Sequence, residues 1–391
     1  MTAILGARRW GSVPHVSGSW LLLLLAVLLC LLLLAVVLAL VVTDPGPRGG
    51  RGRRVRPPRS AFRRSANGGE PARRQRAAII VNPTKVPDVA VARDELAAVC
   101  ERLGWDAPLV IETTAEDPGT GQTRQALEAG VDLVCPLGGD GTVRAVAVAL
   151  AGTRTPLGLL PRGTGNLLAR NLDIPFADIT AAMEVACTGR NRPIDVAWLE
   201  MPPREEERVE DEGQADPPVE GPRVDRHLFL VMAGMGFDAE IMEATSEELK
   251  DRAGWPAYFM TGIRKLFVKR FAVRYSVDGQ AQDQVAARTI VFGNCGTLTG
   301  GIQLMPRAEI DDGQLDCVVV NPRTIIGWGS IAGRVLSRST RDARELIRTT
   351  GERFEVETDD EHAVQVDGDV LGTADRLVIT VDRQSLIVRS R

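Results

Sequence analysis

Two glycine-rich segments have the residue types of a phosphate-binding site. The first reads LGGDGTVRAV at 137–146 and the second reads LLPRGTGNLLARNL at 159–172, and each follows a predicted strand and leads into a predicted helix. Glycines let the backbone approach a ligand closely, and the N–H groups at a helix N-terminus carry partial positive charge. The pattern therefore predicts phosphate binding, although a Gly-Asp-Gly by itself is also typical of an ordinary turn.

The polar residues in and near these segments are candidates for ligand contacts. Asp140 would repel phosphate on its own, unless Mg²⁺ or a hydrogen-bonding network involves it. Neither segment is a Walker A motif, and neither gives a Rossmann G-x-G-x-x-G in the first βα turn. That turn reads VNPTKVPD, in which Asn82 either caps the strand end or reads the edge of a nucleotide.

Two acidic turns follow later in the chain, AEIDDGQLD at 308–316 and HAVQVDGDVLG at 362–372. The second predicts a strand that ends in a glycine turn, which would place the carboxylate of Asp367 at a rim rather than inside a packed layer. The alternative for both is a tight hairpin with acidic residues. The chain has three His, which disfavours a His-dependent mechanism. Its six Cys show no zinc-ligand spacing and are typical of buried, reduced thiols.

The distribution of charge divides the chain in two. Residues 1–76 carry thirteen Arg, no Lys and two acids, whereas residues 77–391 carry 34 basic and 49 acidic side chains. The globular part is therefore net acidic, which argues against nucleic-acid binding, because such proteins usually present a basic surface. Its length favours two domains over one.

The N-terminal part predicts a membrane anchor. Residues 20–42 are twenty-three positions without a charge, after a short tail at 1–19. That length spans a hydrocarbon core of ~30 Å as a helix, whereas a cleaved signal peptide, the alternative, has a shorter apolar region. Eleven Arg follow the span and two precede it, so the C-terminal side is expected in the cytoplasm. Residues 43–76 predict a disordered linker that lies against anionic head groups.

From residue 77 the pattern predicts an α/β domain at 77–194 with a mostly parallel sheet. Predicted strands at 77–81, 108–112, 132–136 and 156–161 alternate with predicted helices at 89–103, 120–129 and 142–152. From 195 to 391 the pattern is rich in strands, which predicts a second, largely antiparallel domain with helices near 239–266 and 327–348. Residues 201–226 are acidic and Pro-rich and predict a disordered insertion.

The order of the motifs resembles the diacylglycerol kinase catalytic family, in particular its bacterial soluble lipid kinases, with sphingosine kinases as more distant relatives. The motifs are NP (82–83), GGDGT (138–142), PRGTGN (161–166), AGMGFDAEI (233–241), AEIDDGQLD (308–316) and VDGD (366–369). The resemblance implies an NAD-kinase-like α/β domain, a C-terminal β-sandwich domain, and ATP bound in the cleft between them. It also implies that the strands after about residue 375 return to the first domain.

The resemblance also implies roles for single residues. The nucleotide-binding residues are Asn82, Thr113 (or Thr114, because the TTAEDPG stretch aligns in two ways), Gly138, Gly139, Asp140, Gly141, Thr142, Thr164 and Asn166. Asp367 matches the general base, and Glu309, Asp312 and Gln314 match a structural Mg²⁺ site, the last through its backbone carbonyl. The chain departs from the family pattern at Thr84-Lys85-Val86, at Leu167, and at Asp369, which is one methylene shorter than the usual Glu.

Together these features predict ATP- and Mg²⁺-dependent phosphorylation of a membrane lipid hydroxyl, with diacylglycerol to phosphatidic acid as the leading case. Two alternatives stay open. One is NAD-kinase-like phosphorylation of a soluble substrate, and the other is a membrane-tethered, non-catalytic nucleotide-binding module. The sequence leaves open which lipid is used and whether the chain forms a homodimer.

Overall fold

The computed structural model describes residues 73–202, 225–236, 270–297, 303–337 and 345–391. Within these ranges no helix is both long and apolar enough to cross a bilayer. The predicted span at 20–42 lies outside them, as do nearly all of the predicted linker and insertion and the predicted helix near 239–266.

The N-terminal part is a parallel sheet covered by helices. Its four strands run in the order β2-β1-β3-β4. Their bounds are β1 Ala77–Val81, β2 Leu109–Glu112, β3 Leu133–Gly138 and β4 Leu160–Pro161. The helices are α1 Val89–Arg102, α2 Thr120–Glu128, α3 Asp140–Leu150, α4 Leu167–Asn171 and α5 Ile179–Thr188. β1, the sequence AAIIV, is buried at every position, as expected for a central strand with helices on both faces.

Side-chain caps set the starts of two helices. Asp88 accepts a hydrogen bond from the N–H of Val91 at 3.0 Å at the start of α1. Asp178 accepts from the N–H groups of Thr180 and Ala181 at the start of α5. Each cap satisfies donors that have no partner inside the helix.

Two elements differ from their predicted bounds. The predicted strand 156–161 pairs continuously only at Leu160–Pro161, because Leu157 instead forms single bridges to Val134 and to Val388 on opposite sides. The predicted helix 142–152 begins at Asp140, because Gly139 is extended and its carbonyl accepts from the N–H of Val143 at 3.1 Å. Asp140 therefore lies in the first turn of α3 rather than in a loop.

The C-terminal part is an eleven-stranded sheet in which every described pair is antiparallel. Its main path runs β13-β12-β11-β7-β14-β15-β5-β6, and β8, β9 and β10 pair beside it. The strands are β5 Arg190–Met201, β6 Asp225–Phe229, β7 Met232–Met235, β8 Phe271–Val277, β9 Gln280–Ala281, β10 Val285–Ala287, β11 Thr289–Gly293, β12 Leu315–Val320, β13 Leu346–Gly351, β14 Arg353–Val366 and β15 Asp369–Ser390. A helix, α6 Ile325–Leu336, follows β12.

The long strand β15 contributes to both hydrophobic cores. Leu377 and Ile379 pack in the core of the antiparallel part, with Phe292 and Phe354. Further along the same strand, Leu386 and Val388 pack in the core of the parallel part. The chain therefore returns to its first domain at the end, as the resemblance implies.

A buried carboxylate holds three segments together where β15 passes between the cores. Asp195, on β5, is fully buried. One of its oxygens accepts from the N–H of Gly313 at 2.6 Å, and the other accepts from the N–H of Gln384 at 2.7 Å. Gln384 lies at an irregularity in the β15–β5 pairing and has a positive φ of 49°. The carboxylate thus fixes this bend of β15 and the turn before β12.

Asp195→Ala is expected to lower the free energy of unfolding by about 2–4 kcal/mol, because it leaves the buried N–H of Gly313 and the part-buried N–H of Gln384 without an acceptor. The control is Asp94→Ala, which removes a carboxylate that is 72% exposed and bound only to Arg93; it should change stability by less than about 1 kcal/mol. Urea denaturation of both variants measures the difference. Equal stabilities would show that the bend of β15 is held by other contacts.

Candidate functional site

Three parallel strands end at the same edge, and the predicted nucleotide-binding residues follow them. Asn82 follows β1, and its N–H donates to the carbonyl of Leu137 on β3 at 3.0 Å. Thr113 follows β2, and its N–H donates to the carbonyl of Val81 at 2.8 Å. The carboxyl edge of a parallel sheet is where α/β proteins bind ligands. The structure therefore places these residues at one edge of the sheet.

The side chain of Asn82 organises this edge. Its amide N donates to Oγ1 of Thr142 at 3.3 Å, and its Oδ1 accepts from the backbone N–H and the hydroxyl of Thr84. The two threonines after β2 differ in exposure. Thr113 is buried, whereas Thr114 is exposed and its hydroxyl accepts from the N–H of Asp117.

The two glycine-rich segments touch each other. A Cβ placed on Gly163 would lie 2.7 Å from Cα of Gly139, so the contact requires glycine. A Cβ on Gly138 would lie 2.7 Å from Oγ1 of Thr142. Both segments therefore face one space, and the N-terminus of α3 opens at their junction. The N–H groups there have no partner inside the helix, which makes this a suitable place for phosphate oxygens.

Asp140 joins the two segments by hydrogen bonds. Its oxygens accept from the N–H of Asn166 at 2.8 Å and from the N–H of Leu167 at 2.6 Å. Burial raises the pKa of this carboxyl, the two amide donors oppose that effect, and the negative charge of Asp369 adds to it. The sequence analysis allows an acid at this position if Mg²⁺ or a hydrogen-bonding network involves it. The structure shows the hydrogen-bonding network.

Asn166 shapes the second segment from within. Its backbone is left-handed, with a φ of 49°, and its side chain is buried. Its Oδ1 accepts from the N–H of Gly163 at 2.9 Å, and its amide N donates to the carbonyl of the same glycine at 2.7 Å. Thr164, by contrast, is exposed. Of these two predicted contacts, Thr164 is the side chain that remains accessible to a ligand.

The hairpin between β14 and β15 carries Asp367. Asp367 and Gly368 have φ values of 47° and 95° and connect the paired residues Val366 and Asp369. Positive φ at both central residues is typical of a two-residue hairpin, for which Asp-Gly is favoured. The structure therefore confirms the tight hairpin that the sequence analysis gives as the alternative for this turn. The hairpin geometry does not decide the chemical role of the two acids.

The prediction that Asp367 lies at a rim is wrong. The residue is only 7% exposed, because segment 230–232 folds over it. Its carboxylate accepts from the N–H groups of Leu230, Val231 and Met232 at 2.9–3.0 Å. Burial raises the pKa of Asp367 to about 6, while these donors and the positive charge of Arg144 act in the opposite direction. Its role as general base stays a prediction.

Asp369 is the accessible acid of the hairpin. Its side chain is 54% exposed, and its Oδ2 lies 3.4 Å from where a Cβ on Gly141 would be, beside the first glycine-rich segment. The guanidinium of Arg144, on α3, donates to this oxygen at 2.7 Å and to the carbonyl of Val366 at 2.8 Å. Arg144 thus ties the hairpin to α3.

The sequence analysis missed two contacts between the parts of the site. Arg144 was not singled out, although it lies near the start of the helix predicted at 142–152. Asn171, on α4, exchanges two hydrogen bonds with the backbone of Thr297, at 2.8 and 3.2 Å. Asn171 and Thr297 are more than a hundred residues apart in the chain, so no local sequence pattern indicates the second contact.

The predicted Mg²⁺ turn lies apart from the phosphate-binding segments in the chain. Glu309, Asp312 and Gln314 are exposed, and Oδ1 of Asp312 accepts from the N–H of Gln314 at 2.9 Å. Burial and then the charge of Asp312 raise the pKa of Asp316 to about 6. Across the described ranges no three His, Cys, Asp or Glu side chains group as metal ligands. Carboxylate and carbonyl oxygens are the ligands that a hard cation prefers. The residue types of this turn, with Asp312 near Asp316, therefore suit Mg²⁺.

A chain of hydrogen bonds connects this turn with the hairpin acids. Asp195 binds the N–H of Gly313, and its own carbonyl accepts from the side-chain amide of Asn294 at 2.9 Å. The same amide donates to the carbonyl of Leu230 at 3.0 Å, and the N–H of Leu230 donates to Asp367. The turn, the buried core and Asp367 therefore form one connected polar network.

The raised pKa of Asp367 predicts a pH dependence of stability. The ordinary pKa of 3.8 becomes about 6 in the folded chain, so the folded state binds the proton more tightly than the unfolded state. The contribution of Asp367 to stability is therefore complete below about pH 4 and is lost as the pH rises to 6. Two pKa units correspond to about 3 kcal/mol.

Asp367→Asn should lack this loss, so its stability relative to the wild type should rise between pH 4 and 6 and stay constant above. Denaturant titrations of both proteins at several pH values measure it. Parallel curves over this range would show that the carboxyl is not buried in solution.

Two family models match the chain over most of the described residues. Residues 76–199 match the diacylglycerol kinase catalytic domain. Residues 231–388 match the YegS C-terminal NAD kinase beta sandwich-like domain. The two matches follow one another in the chain and correspond to the parallel and the antiparallel sheet.

Curated relatives agree with these matches. A probable YegS-like lipid kinase of Pseudomonas aeruginosa is 31% identical over 70% of this chain and 82% of its own length. A diacylglycerol kinase of Bacillus subtilis is 26% identical over 76% of this chain and 91% of its own length. An uncharacterised Synechocystis protein is 27% identical over 62% of this chain, which spans 52% of that protein.

A solved structure shows the same fold. The crystal structure of a diacylglycerol kinase from Bacillus anthracis superposes with a TM-score of 0.58 at 21% identity, and covers 81% of this chain and 97% of its own. The order of the two matched domains and the identity to the lipid-kinase relatives lead to one assignment. The chain belongs to the family of diacylglycerol kinases and YegS-like lipid kinases.

Proposed function

We propose that this protein transfers the γ-phosphoryl group of ATP to the hydroxyl of a membrane lipid, with diacylglycerol as the substrate and phosphatidic acid as the product. The observation that carries the proposal is the junction of the two glycine-rich segments with the Asp367–Asp369 hairpin. At that junction the amides that suit phosphate and an accessible carboxylate lie side by side. Family membership supports the kinase activity and the lipid class of the substrate.

Phosphoryl transfer depends on positioning and on stabilising charge. The amides at the N-terminus of α3 hold the phosphates, and the contact of Gly139 with Gly163 keeps side chains out of that space. Asn82 and Thr142, which are hydrogen-bonded to each other, form the neighbouring wall. The exposed hydroxyl of Thr164 completes the nucleotide site from the second segment. Mg²⁺ bound with ATP supplies charge neutralisation.

The proton of the lipid hydroxyl requires an acceptor within hydrogen-bond reach. Accessibility favours Asp369 as this acceptor. Its side chain is 54% exposed, and only its Oδ2 has a hydrogen-bond partner among the described residues. Asp367 carries the role by resemblance, but three backbone amides occupy its carboxylate. In this proposal Asp369 accepts the proton, and Asp367 positions the hairpin by binding segment 230–232.

The structural Mg²⁺ turn has a different role in this proposal. Glu309 and Asp312, with the backbone carbonyl of Gln314, would hold the ion away from the phosphates. Its connection to Asp367 runs through Asp195, Asn294 and Leu230. The turn therefore stabilises the arrangement of the hairpin rather than contacting ATP.

The location of the protein is part of the proposal. The uncharged stretch at 20–42 anchors the chain, the Arg-rich residues that follow contact anionic head groups, and the kinase domains lie in the cytoplasm, where ATP is available. A reporter fused after Arg391 tests the topology. Protease access to it from outside the cell would exclude this arrangement.

The reaction is tested with radiolabelled ATP and three acceptors assayed side by side: dioleoylglycerol, NAD⁺ and a total lipid extract. Label in phosphatidic acid is the expected result. Label in NADP⁺ would favour a soluble acceptor instead. ATP binding without label in any product would favour the non-catalytic module. Label in another lipid of the extract would keep the reaction and replace the substrate.

Asp369→Asn is expected to lower kcat by about 10²–10⁴-fold, because an amide cannot accept the hydroxyl proton. The KM for ATP should change little, since the phosphates are held by backbone amides. Steady-state kinetics on dioleoylglycerol measure both. Asp367→Asn is the comparison, and it should lower kcat less and reduce stability more near pH 4. A larger loss of kcat in Asp367→Asn than in Asp369→Asn would identify Asp367 as the general base instead.

Arg144→Met is expected to lower kcat by about 10-fold or more, because Asp369 loses the cation that orients it. Arg144→Lys keeps the charge but not the two-point contact with Asp369 and Val366, so it should recover part of the activity. Both variants should keep the wild-type KM for ATP. If Met and Lys variants lose activity equally, or only thermal stability changes, Arg144 has a structural role alone.

A further inference from the structure

The outward side of α6 carries an apolar residue and no charge. This helix has the sequence IIGWGSIAGRVL, and among the positions whose burial the structure describes the exposed ones are Ile326, Gly329 and Gly333, which lie on one side at spacings of three and four. Ile326 is 85% exposed, the highest value among the large apolar residues of the described ranges. The exposed side of a helix in a soluble protein usually carries charged residues. The solvent-facing side of α6 is therefore unusual.

The inner side of α6 holds the helix in a fixed orientation. Ile331 is buried in a cluster with Val291, Val318 and Leu346 from three strands of the sheet, and Trp328 packs against the same cluster. Because these contacts fix the rotation of the helix, Ile326 is directed outward by the packing.

The charge around α6 is opposite to that of the globular part. Arg323 is exposed just before the helix, and Arg334 lies in its last turn. Residues 321–337 contain these two Arg and no acid, whereas residues 77–391 as a whole carry 34 basic and 49 acidic side chains. A flat apolar side flanked by cations complements the surface of an anionic bilayer, and each Arg near that surface contributes about 1 kcal/mol.

The face of the sheet that carries α6 extends to Val370 on β15, whereas Asp369, one residue earlier, projects to the opposite face. Residues paired directly across neighbouring strands project on the same side. One such row runs from Val370, next to Asp369, through Gln365, Gly234 and Val291 to Val318. Val318 lies under Ile331, and Val370 is 42% exposed at the other end.

The length of this row suits a membrane lipid. Its four inter-strand steps of about 4.8 Å place α6 roughly 19 Å from the hairpin strand. The apolar half of a bilayer is about 15 Å thick, so an acyl chain is of comparable length. A bilayer in contact with α6 would therefore lie at a distance from the hairpin strand that is comparable with the length of its lipids.

We propose that α6 is a membrane-docking helix, which lies in the interface of an anionic bilayer with Ile326 among the acyl chains and Arg323 at the head groups. It is separate from the anchor proposed at 20–42 and acts on the orientation of the catalytic domains. This inference rests on the proposed lipid substrate for its purpose, but its binding chemistry is independent of turnover.

The experiment places an environment-sensitive fluorophore on the full chain at Ile326→Cys or, as the matched control, at Val91→Cys. Val91 is also an exposed apolar residue on a helix, at 53%. The five cysteines of the described ranges are buried, and Cys30→Ser is included in both proteins. Vesicles consist of phosphatidylcholine with or without phosphatidylglycerol.

The expected result is a blue shift at position 326 with the anionic vesicles, weaker at high salt and absent at position 91. Equal emission at the two positions would overturn the proposal. A blue shift at position 326 without vesicles would also overturn it, because the helix would then contact a second copy or another part of the chain.

Two variants without a fluorescent label provide the second measurement. Ile326→Asp and Arg323→Glu should each raise the apparent KM for long-chain diacylglycerol in anionic vesicles at least 5-fold, with unchanged turnover of a short-chain, water-dispersed diacylglycerol. Equal kinetics with both substrates would overturn the proposal. Absence of all turnover would contradict the proposed function, and the fluorescence result would still decide the docking.

Discussion

The site depends on one carboxylate that lies between two backbone segments. Asp140 accepts the N–H groups of Asn166 and Leu167, so the start of α4 is held against the start of α3. This arrangement leaves no room for side chains nearby, since a Cβ on Gly165 would lie 2.6 Å from Oδ2 of Asp140. The glycines serve the approach of phosphate and also the approach of the two segments to each other. Removing the acid would therefore separate the segments as well as change the charge.

The acids of the hairpin are held in an electrostatically costly arrangement. Burial raises the pKa values of Asp140 and Asp367, and the negative charge of Asp369 raises the pKa of Asp140 further. Arg144 provides the opposing charge and a direct contact with Asp369. Such arrangements cost stability and persist where function requires them. The carboxylate of Asp369 lies where the guanidinium of Arg144 donates to it at 2.7 Å.

The sequence predicted the alternation of strands and helices and the residues that meet at the sheet edge, because both follow from local pattern. Asn82, Thr113 and the glycine-rich segments lie where the carboxyl ends of parallel strands bring them. Burial of Asp367 could not be predicted, since it comes from segment 230–232, more than a hundred residues away. The turn itself was visible in the Asp-Gly pair, but a turn does not reveal what packs over it. The pairing of Arg144 with Asp369 is hidden for the same reason.

The two acids two residues apart can have different roles because of the turn between them. Positive φ at Asp367 and Gly368 reverses the chain within two residues, so Asp367 points to the backbone of segment 230–232 and Asp369 to α3. The first acid thus connects the hairpin to Asn294, Asp195 and the acidic turn at 308–316, and the second connects it to α3. A change at this turn would act on the position of Asp369 through the hairpin. The antiparallel domain therefore contributes an acid whose placement both domains determine.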